Sequence, residues 1–276
     1  MVFNLDFLIV VSYLVLTLWV GSGYGKEIKT IKDYALGGRK FSTTALVSTI
    51  TATYASGSGF FSTLSQIYFD GFYYLVSSSF ISVSMLLVAF VFVPRMGKFL
   101  GMTSVAEALG SFYGKEVRII TAVCGALAST GIISVQFNAF GNIVGYFSGI
   151  SSSVAIVIAG TLVTFYSAFG GIISVTFTDV LQLLTFCFAL PLMGIMIWNQ
   201  IYATEFSISS VLQVPKFDMS YVLDFGNPKF WDMIPIIFFF AMPSMRSADF
   251  QRIAMGTSIR QVKKAWIISA TLLMAV

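Results

Sequence analysis

The basic residues of this chain are gathered into a few short gaps between long apolar runs, and that partition constrains the fold more than any motif does. Lys26, Lys29, Lys32, Arg39 and Lys40 form one group, Arg95, Lys98, Lys115 and Arg118 a second, and Arg246, Arg252, Arg260, Lys263 and Lys264 a third. Of the 16 lysines and arginines, Lys216 and Lys229 alone stand apart, together in one loop. Threading the apolar runs in order puts the three groups on one side of a bilayer and that loop on the other. Cytoplasmic loops of multi-span proteins collect lysine and arginine in this way. The chain therefore reads as an all-α, multi-pass protein of a cell membrane, with its N-terminus outside.

Charged residues make up 10% of the chain, where a soluble domain carries about 25%. There are too few to cover a water-facing surface. The net charge of +4 would suit a nucleic acid if the basic residues formed one patch, but they lie in short loops and no nucleic-acid partner is expected. Histidine is absent, which removes the commonest metal ligand and general base. Cys124 and Cys187 both fall inside apolar runs and imply neither a disulfide nor a metal framework. No glycine-rich phosphate loop leads into Lys and Ser/Thr. No enzyme is expected, and no cofactor. The first apolar run lacks a basic leader and a small-residue cleavage site, so it reads as a retained anchor.

A hydrocarbon core about 30 Å thick needs roughly 20 apolar residues per helix. By that measure spans run over 3–23, 42–69, 72–93, 117–147, 150–169, 172–198 and 231–250. The loops then alternate: 24–41, 94–116, Gly170-Gly171 and 251–264 inside, Asp70-Gly71, 148–150 and 199–230 outside. The 94–116 stretch carries Glu107 and Glu116 and is expected to hold a short surface helix. An eighth run, AWIISATLLMAV from Ala265, has twelve residues and reaches about 18 Å, short of a crossing. A helix ending there would bury unsatisfied carbonyls. The chain is accordingly expected to be the front part of a longer protein, a split gene product or a truncation.

Two spans carry interruptions. ASGSGFFS places Gly57 and Gly59 among Ser56, Ser58 and Ser62, and Pro235 and Pro243 fall within IPIIFFFAMPSMRSAD. Proline removes a helix hydrogen bond and clashes with the preceding turn. Broken helices at depth are tolerated where backbone lines a cavity, and in transporters they mark the site: freed carbonyls hold a cation and half-helix ends face the solute. Small residues at helix contacts and simple proline kinks are the plainer alternative.

Among polar residues inside the spans, Asp179 is the most costly to bury. It lies eight residues into its span, where it either faces a cation path or answers the helix dipole with help from Thr176 and Thr178. Arg246 and Asp249 sit three apart and form a possible i,i+3 pair. With Arg252 they read mainly as anchors at the membrane interface. Ser134 and Asn138 share one helix face, where they line a solute path or hydrogen-bond a neighbouring helix.

Four segments, DYALGGRKFSTTAL at 33–46, TSVAEALGSFYG at 103–114, GGIISVTFTDVLQ at 170–182 and DFQRIAMGTSIRQVKKA at 249–265, resemble the sodium:solute symporter family. The resemblance covers nearly the whole chain, and the third segment is its most specific part. It implies a LeuT-type five-plus-five inverted-repeat fold. Residues 1–40 would be an extra helix and loop, 41–198 the first five-helix repeat, 199–230 an outer loop and 231–276 the start of the second repeat. The implied coupling ion is sodium, held by backbone carbonyls near Ala52 and Ala55, with Tyr54 and Gly57 the choice in a shifted register. Asp179 matches the family's acidic residue on the sodium exit route. Ser56, Gly57, Ser134 and Asn138 are the candidate solute contacts. Sugar carriers place Gln, Glu, Asn and a Tyr gate where this chain has Gly59, Ser78, Phe239 and Met242, so a sugar is disfavoured.

The expected function is thus sodium-coupled symport of a small organic solute, a proline-like amino acid or a quaternary amine. The expected partners are the lipid bilayer, sodium, the solute and a separate polypeptide carrying the second repeat. A membrane sensor of the same fold and an inactive remnant of a transporter gene are the alternatives.

Overall fold

A computed structural model describes residues 5–22, 28–203 and 208–275. Lys26, in the first basic group, lies outside the described residues. Helix α1, Leu5–Ser22, is followed by a short α2, Ile31–Leu36. The second span then crosses in two pieces, α3 (Thr43–Tyr54) and α4 (Gly57–Asp70). The third is a composite run of α5 (Phe72–Ser79), α6 (Ile81–Leu87), a π turn at Val88–Phe92 and a 3₁₀ turn at Val93–Arg95. Helix α7, Val105–Tyr113, is the surface helix expected within 94–116, started by Ser104, whose hydroxyl accepts from the Glu107 amide at 3.1 Å. The long α8, Lys115–Ser148, and α9, Ser152–Ala203, complete the first five core spans.

Helix α9 is two helices meeting at Gly171 without an intervening loop. Gly171 has φ 51° and ψ −148°, a conformation open essentially to glycine alone. A Cβ there would lie 2.7 Å from the Tyr34 carbonyl oxygen of α2. Short α10 (Ile208–Leu212) and α11 (Met219–Val222) cap the far end. Then α12 (Pro228–Ala241) and α13 (Ser247–Ala254) form a second broken span, and α14 is Ile259–Ala275.

The helical runs Phe72–Arg95, Lys115–Tyr146 and Ser167–Tyr202 are each long and apolar enough to cross a bilayer. Two sequence boundaries need correction. The seventh span reaches Ala254, beyond the expected 250, and it does so as two half-helices. The eighth begins at Ile259, six residues before Ala265, so the expected loop 251–264 shrinks to a tight turn. Its 17 residues span about 26 Å. The reason is amphipathicity: Val262, Ala265, Trp266, Ser269 and Ala270 recur at helical spacing and are all buried, so the basic residues between them are carried on the helix's other face.

The main core joins α3, α6 with the π turn after it, α13 and α14 through Leu46, Ile50, Met85, Val88, Ile253 and Trp266. All four helices contribute at the end of the bundle that carries the basic groups, called here the basic end. A satellite cluster of Tyr73, Val222 and Met233 lies at the opposite end.

Candidate functional site

Both helix breaks sit beside this core. In the first, α3 stops at Tyr54, Ala55 leaves helical geometry (φ −86°, ψ 75°) and Ser56 caps α4 by accepting from the Gly59 amide at 3.1 Å. The Ala55 amide donates to the Thr51 carbonyl at 2.8 Å. Beyond it, the carbonyls of Ala52, Thr53, Tyr54 and Ala55 receive no hydrogen bond among the described residues. These are the orphan acceptors any helix C-terminus leaves, here left inside a bundle. A Cβ on Gly57 would meet nothing within 4 Å, so that residue borders open space. Ala52 and Ala55 on the one side and Ser56 and Gly57 on the other are therefore brought together.

The second break runs from Met242 to Arg246 and contains Pro243. Pro235, by contrast, stays within α12. The Met242 carbonyl is taken by the Ser84 hydroxyl of α6 at 3.1 Å. The Ser247, Ala248 and Asp249 amides at the start of α13 have no partner among the described residues.

Asp179 is buried, and its partners are not the ones expected. The Thr178 hydroxyl turns back to the Val175 carbonyl at 2.9 Å, and the Thr176 hydroxyl has no partner among the described residues. Instead Thr49, on α3 one turn before Ala52, donates a short hydrogen bond to Asp179 Oδ2. Arg252 of α13 approaches the same oxygen at 3.4 Å. One carboxylate thus touches both broken spans on their basic-end halves. The suggested i,i+3 pair of Arg246 and Asp249 is present, but Asp249 and Arg252 are not interface anchors, because α13 packs its polar face inward: Asp249 is 0% and Arg252 7% exposed. Arg246 donates from Nε to Asp249 Oδ2 at 3.0 Å, and its guanidinium lies 4.9 Å from the ring centre of Tyr54 at the first break.

Ser134 and Asn138 are not brought to the breaks. Both are exposed on α8, and the Ser134 hydroxyl bonds to its own helix at the Thr130 carbonyl, 2.8 Å away. The point where α8 meets the second break lies lower, where the Ser247 hydroxyl stands 3.3 Å from a Cβ built on Gly125. Thr49 and Ser84 were missed in the sequence, and Tyr54 was named there only for its carbonyl, in the shifted register. A hydroxyl one turn from a suspected break was the available signal for Thr49. A separate cleft of about 260 Å³ opens at the opposite end among Asp70, Tyr73, Lys216, Lys229 and Asp232, and it shares no residue with the breaks.

Two interrupted helices in a bundle of apolar helices, their breaks meeting where the Arg246 guanidinium lies over the Tyr54 ring, are the pattern of a LeuT-type fold. The profile of the sodium:solute symporter family matches residues 34–275, and the chain belongs to that family. A sodium-coupled sialic acid symporter, solved substrate-bound and outward-open, superposes with a TM-score of 0.79 at 25% identity, over 98% of this chain and 58% of that one. Sodium-coupled monocarboxylate transporter 1 of Xenopus laevis is 26% identical over 180 residues, 64% of this chain and 29% of that protein. An uncharacterized symporter of Bacillus subtilis (strain 168) is 24% identical over 226 residues, 80% of this chain and 43% of the relative. The chain thus spans well under two thirds of the length of each.

Proposed function

We propose that this chain supplies the first repeat and the first broken helix of the second repeat to a sodium-coupled symporter of a small organic solute, without enzymatic activity. In this reading the basic end faces the cytoplasm and the N-terminus lies outside. The carbonyls of Ala52 and Ala55 hold part of the sodium shell, and Ser56 and Gly57 contact the solute. Ser134 and Asn138 are left out of the solute site, since their helix meets the second break near Gly125.

The observation that carries the proposal is the seat of Asp179. It lies one turn to the basic side of the freed carbonyls, bound to Thr49 on one broken span and Arg252 on the other. A sodium ion leaving the carbonyls towards the basic end passes a carboxylate whose two ties must loosen for the path to open. That arrangement joins ion release to relative movement of the two broken spans.

The test is accumulation of labelled proline, choline and propionate by cells expressing the protein, in sodium and then in potassium medium. Sodium-dependent accumulation of at least one solute is expected. Asp179→Ala is expected to slow that uptake by a larger factor than it weakens solute binding. Uptake indifferent to the exchange of sodium for potassium would overturn the coupling.

A further inference from the structure

We infer that the solute carries a carboxylate and that Arg246 is the residue that recognises it. The inference rests on the transporter reading and narrows the solute class at the same site.

The guanidinium of Arg246 lies between the two breaks. Its own residue is the last of the second break, and it covers the face of Tyr54, the last helical residue before the first. Tyr54 is itself held edge-on by Trp266, with ring centres 6.1 Å apart, and Trp266 is fully buried. The guanidinium therefore rests on a fixed aromatic platform. Stacking of this kind leaves the planar fork free to present its remaining N–H groups.

The ion pair with Asp249 does not cancel this charge from the solute's side. The Arg246 side chain is 40% exposed and that of Asp249 is 1% exposed. The carboxylate lies behind, fixing the guanidinium through Nε at 3.0 Å and the Arg246 backbone amide at 3.3 Å, with a longer NH2 contact of 3.4 Å. What the break presents is cationic. The unpartnered amides of Ser247, Ala248 and Asp249 lie at the same end of α13 and add the positive pole of a helix start. Three residues beyond Tyr54, Gly57 at the start of α4 borders open space.

A carboxylate suits such a site because it accepts two parallel N–H bonds from one guanidinium. A quaternary amine does not. It has no group to accept them, and it would be repelled by Arg246. Of the two solute types that the sequence suggests, the geometry favours the amino acid, or a simpler carboxylate, over the quaternary amine.

The test is equilibrium binding of ¹⁴C-propionate to the full chain in lipid nanodiscs, with choline as competitor, in sodium and in potassium. Saturable propionate binding is expected, weakened about tenfold or more by Arg246→Gln, partly retained by Arg246→Lys and untouched by choline. Arg246→Gln also strands Asp249, so the double replacement Arg246→Gln/Asp249→Asn serves as the folding control and is expected to bind as poorly. Recovery of binding in the double variant, unchanged affinity in Arg246→Gln, or saturable binding of neither propionate nor, in a parallel measurement, labelled proline would each overturn the assignment. Sodium-dependent binding of choline would overturn it while leaving coupled transport standing. Propionate binding indifferent to sodium would do the reverse.

Discussion

Helices α3 and α4 belong to one span and are separated by two residues, yet they live in different surroundings. In α3, Leu46, Val47, Ser48, Thr49, Ile50 and Thr51 are all buried; in α4 no residue is. The second broken span repeats the contrast, with five buried residues in the eight of α13 and Met233 alone in the 14 of α12. The halves at the basic end are packed together into the main core, whereas the halves at the opposite end border a cleft and open space. In the transport cycle proposed above, the packed halves at the basic end are the ones that must part, so the contacts between them are where function and stability meet.

The largest effect is expected at the buried ion pair. Removing one partner strands the other in low dielectric, at a cost of about 3–5 kcal/mol. Arg252→Ala should therefore lower stability by that order, read as thermal unfolding in detergent by circular dichroism. Asp179→Asn/Arg252→Gln should regain much of the loss, since neither amide needs a counter-charge. A single replacement costing less than about 1 kcal/mol would break the comparison: the basic end would then be sealed by its apolar core without help from charge.

A smaller effect is expected at a set of side chains that tie the segment before α3 to the turn between α13 and α14. Arg39 donates from Nε and NH2 to the Gly256 carbonyl at 2.9 and 2.7 Å, and from NH2 to that of Thr257 at 3.1 Å. Gln251 reaches the Ala35 carbonyl at 2.8 Å and Gln261 that of Phe41 at 2.9 Å. The backbone must bend sharply to allow this: Gly37, Gly38 and Arg39 take φ 56°, 61° and 57° in succession. Left-handed geometry costs a non-glycine residue about 1–2 kcal/mol, so the Arg39 contacts must offset it. Arg39→Lys loses the planar fork and should cost about 1.5–3 kcal/mol, seen as faster hydrogen exchange at residues 256–258. Unchanged exchange would mean that the Gln251 and Gln261 contacts and the apolar core hold this turn without Arg39.

These contacts explain what was and was not legible in the sequence. The spans were readable because apolar length and clustered charge are local signals. The breaks were nearly so: Gly57 and Gly59 point to the first, although the chain leaves the helix at Ala55 and Ser56, just before them. Two prolines mark the second span, and Pro243 rather than Pro235 falls in the break, where Ser84 of another helix takes a freed carbonyl. Which proline breaks a helix depends on such partners, and they lie far off in sequence. Arg246, Arg252 and Arg39 were lost among the basic groups for the same reason. A topogenic arginine and one that clamps two helices look alike until the fold brings a carboxylate or a carbonyl to them. Asp179 stood out because a carboxylate within an apolar run has no bland surroundings, but Thr49 and Arg252, its partners, did not.

The smallest effect is expected on α4, and it sharpens the comparison most. Phe61 is 59% exposed, so its ring gives up little packing within this chain. If it faces lipid, Phe61→Ala exchanges one apolar contact for another, because acyl chains are as apolar as the side chain they touch. The expected change in thermal stability in nanodiscs is then within about 0.5 kcal/mol, as for an exposed site. A core phenylalanine truncated in the same way would cost about 3–5 kcal/mol. A loss of that size at Phe61 would mean that a helix covers this face in the membrane. The contrast between α3 and α4 would then measure which partners are in place and not which side of the site is open.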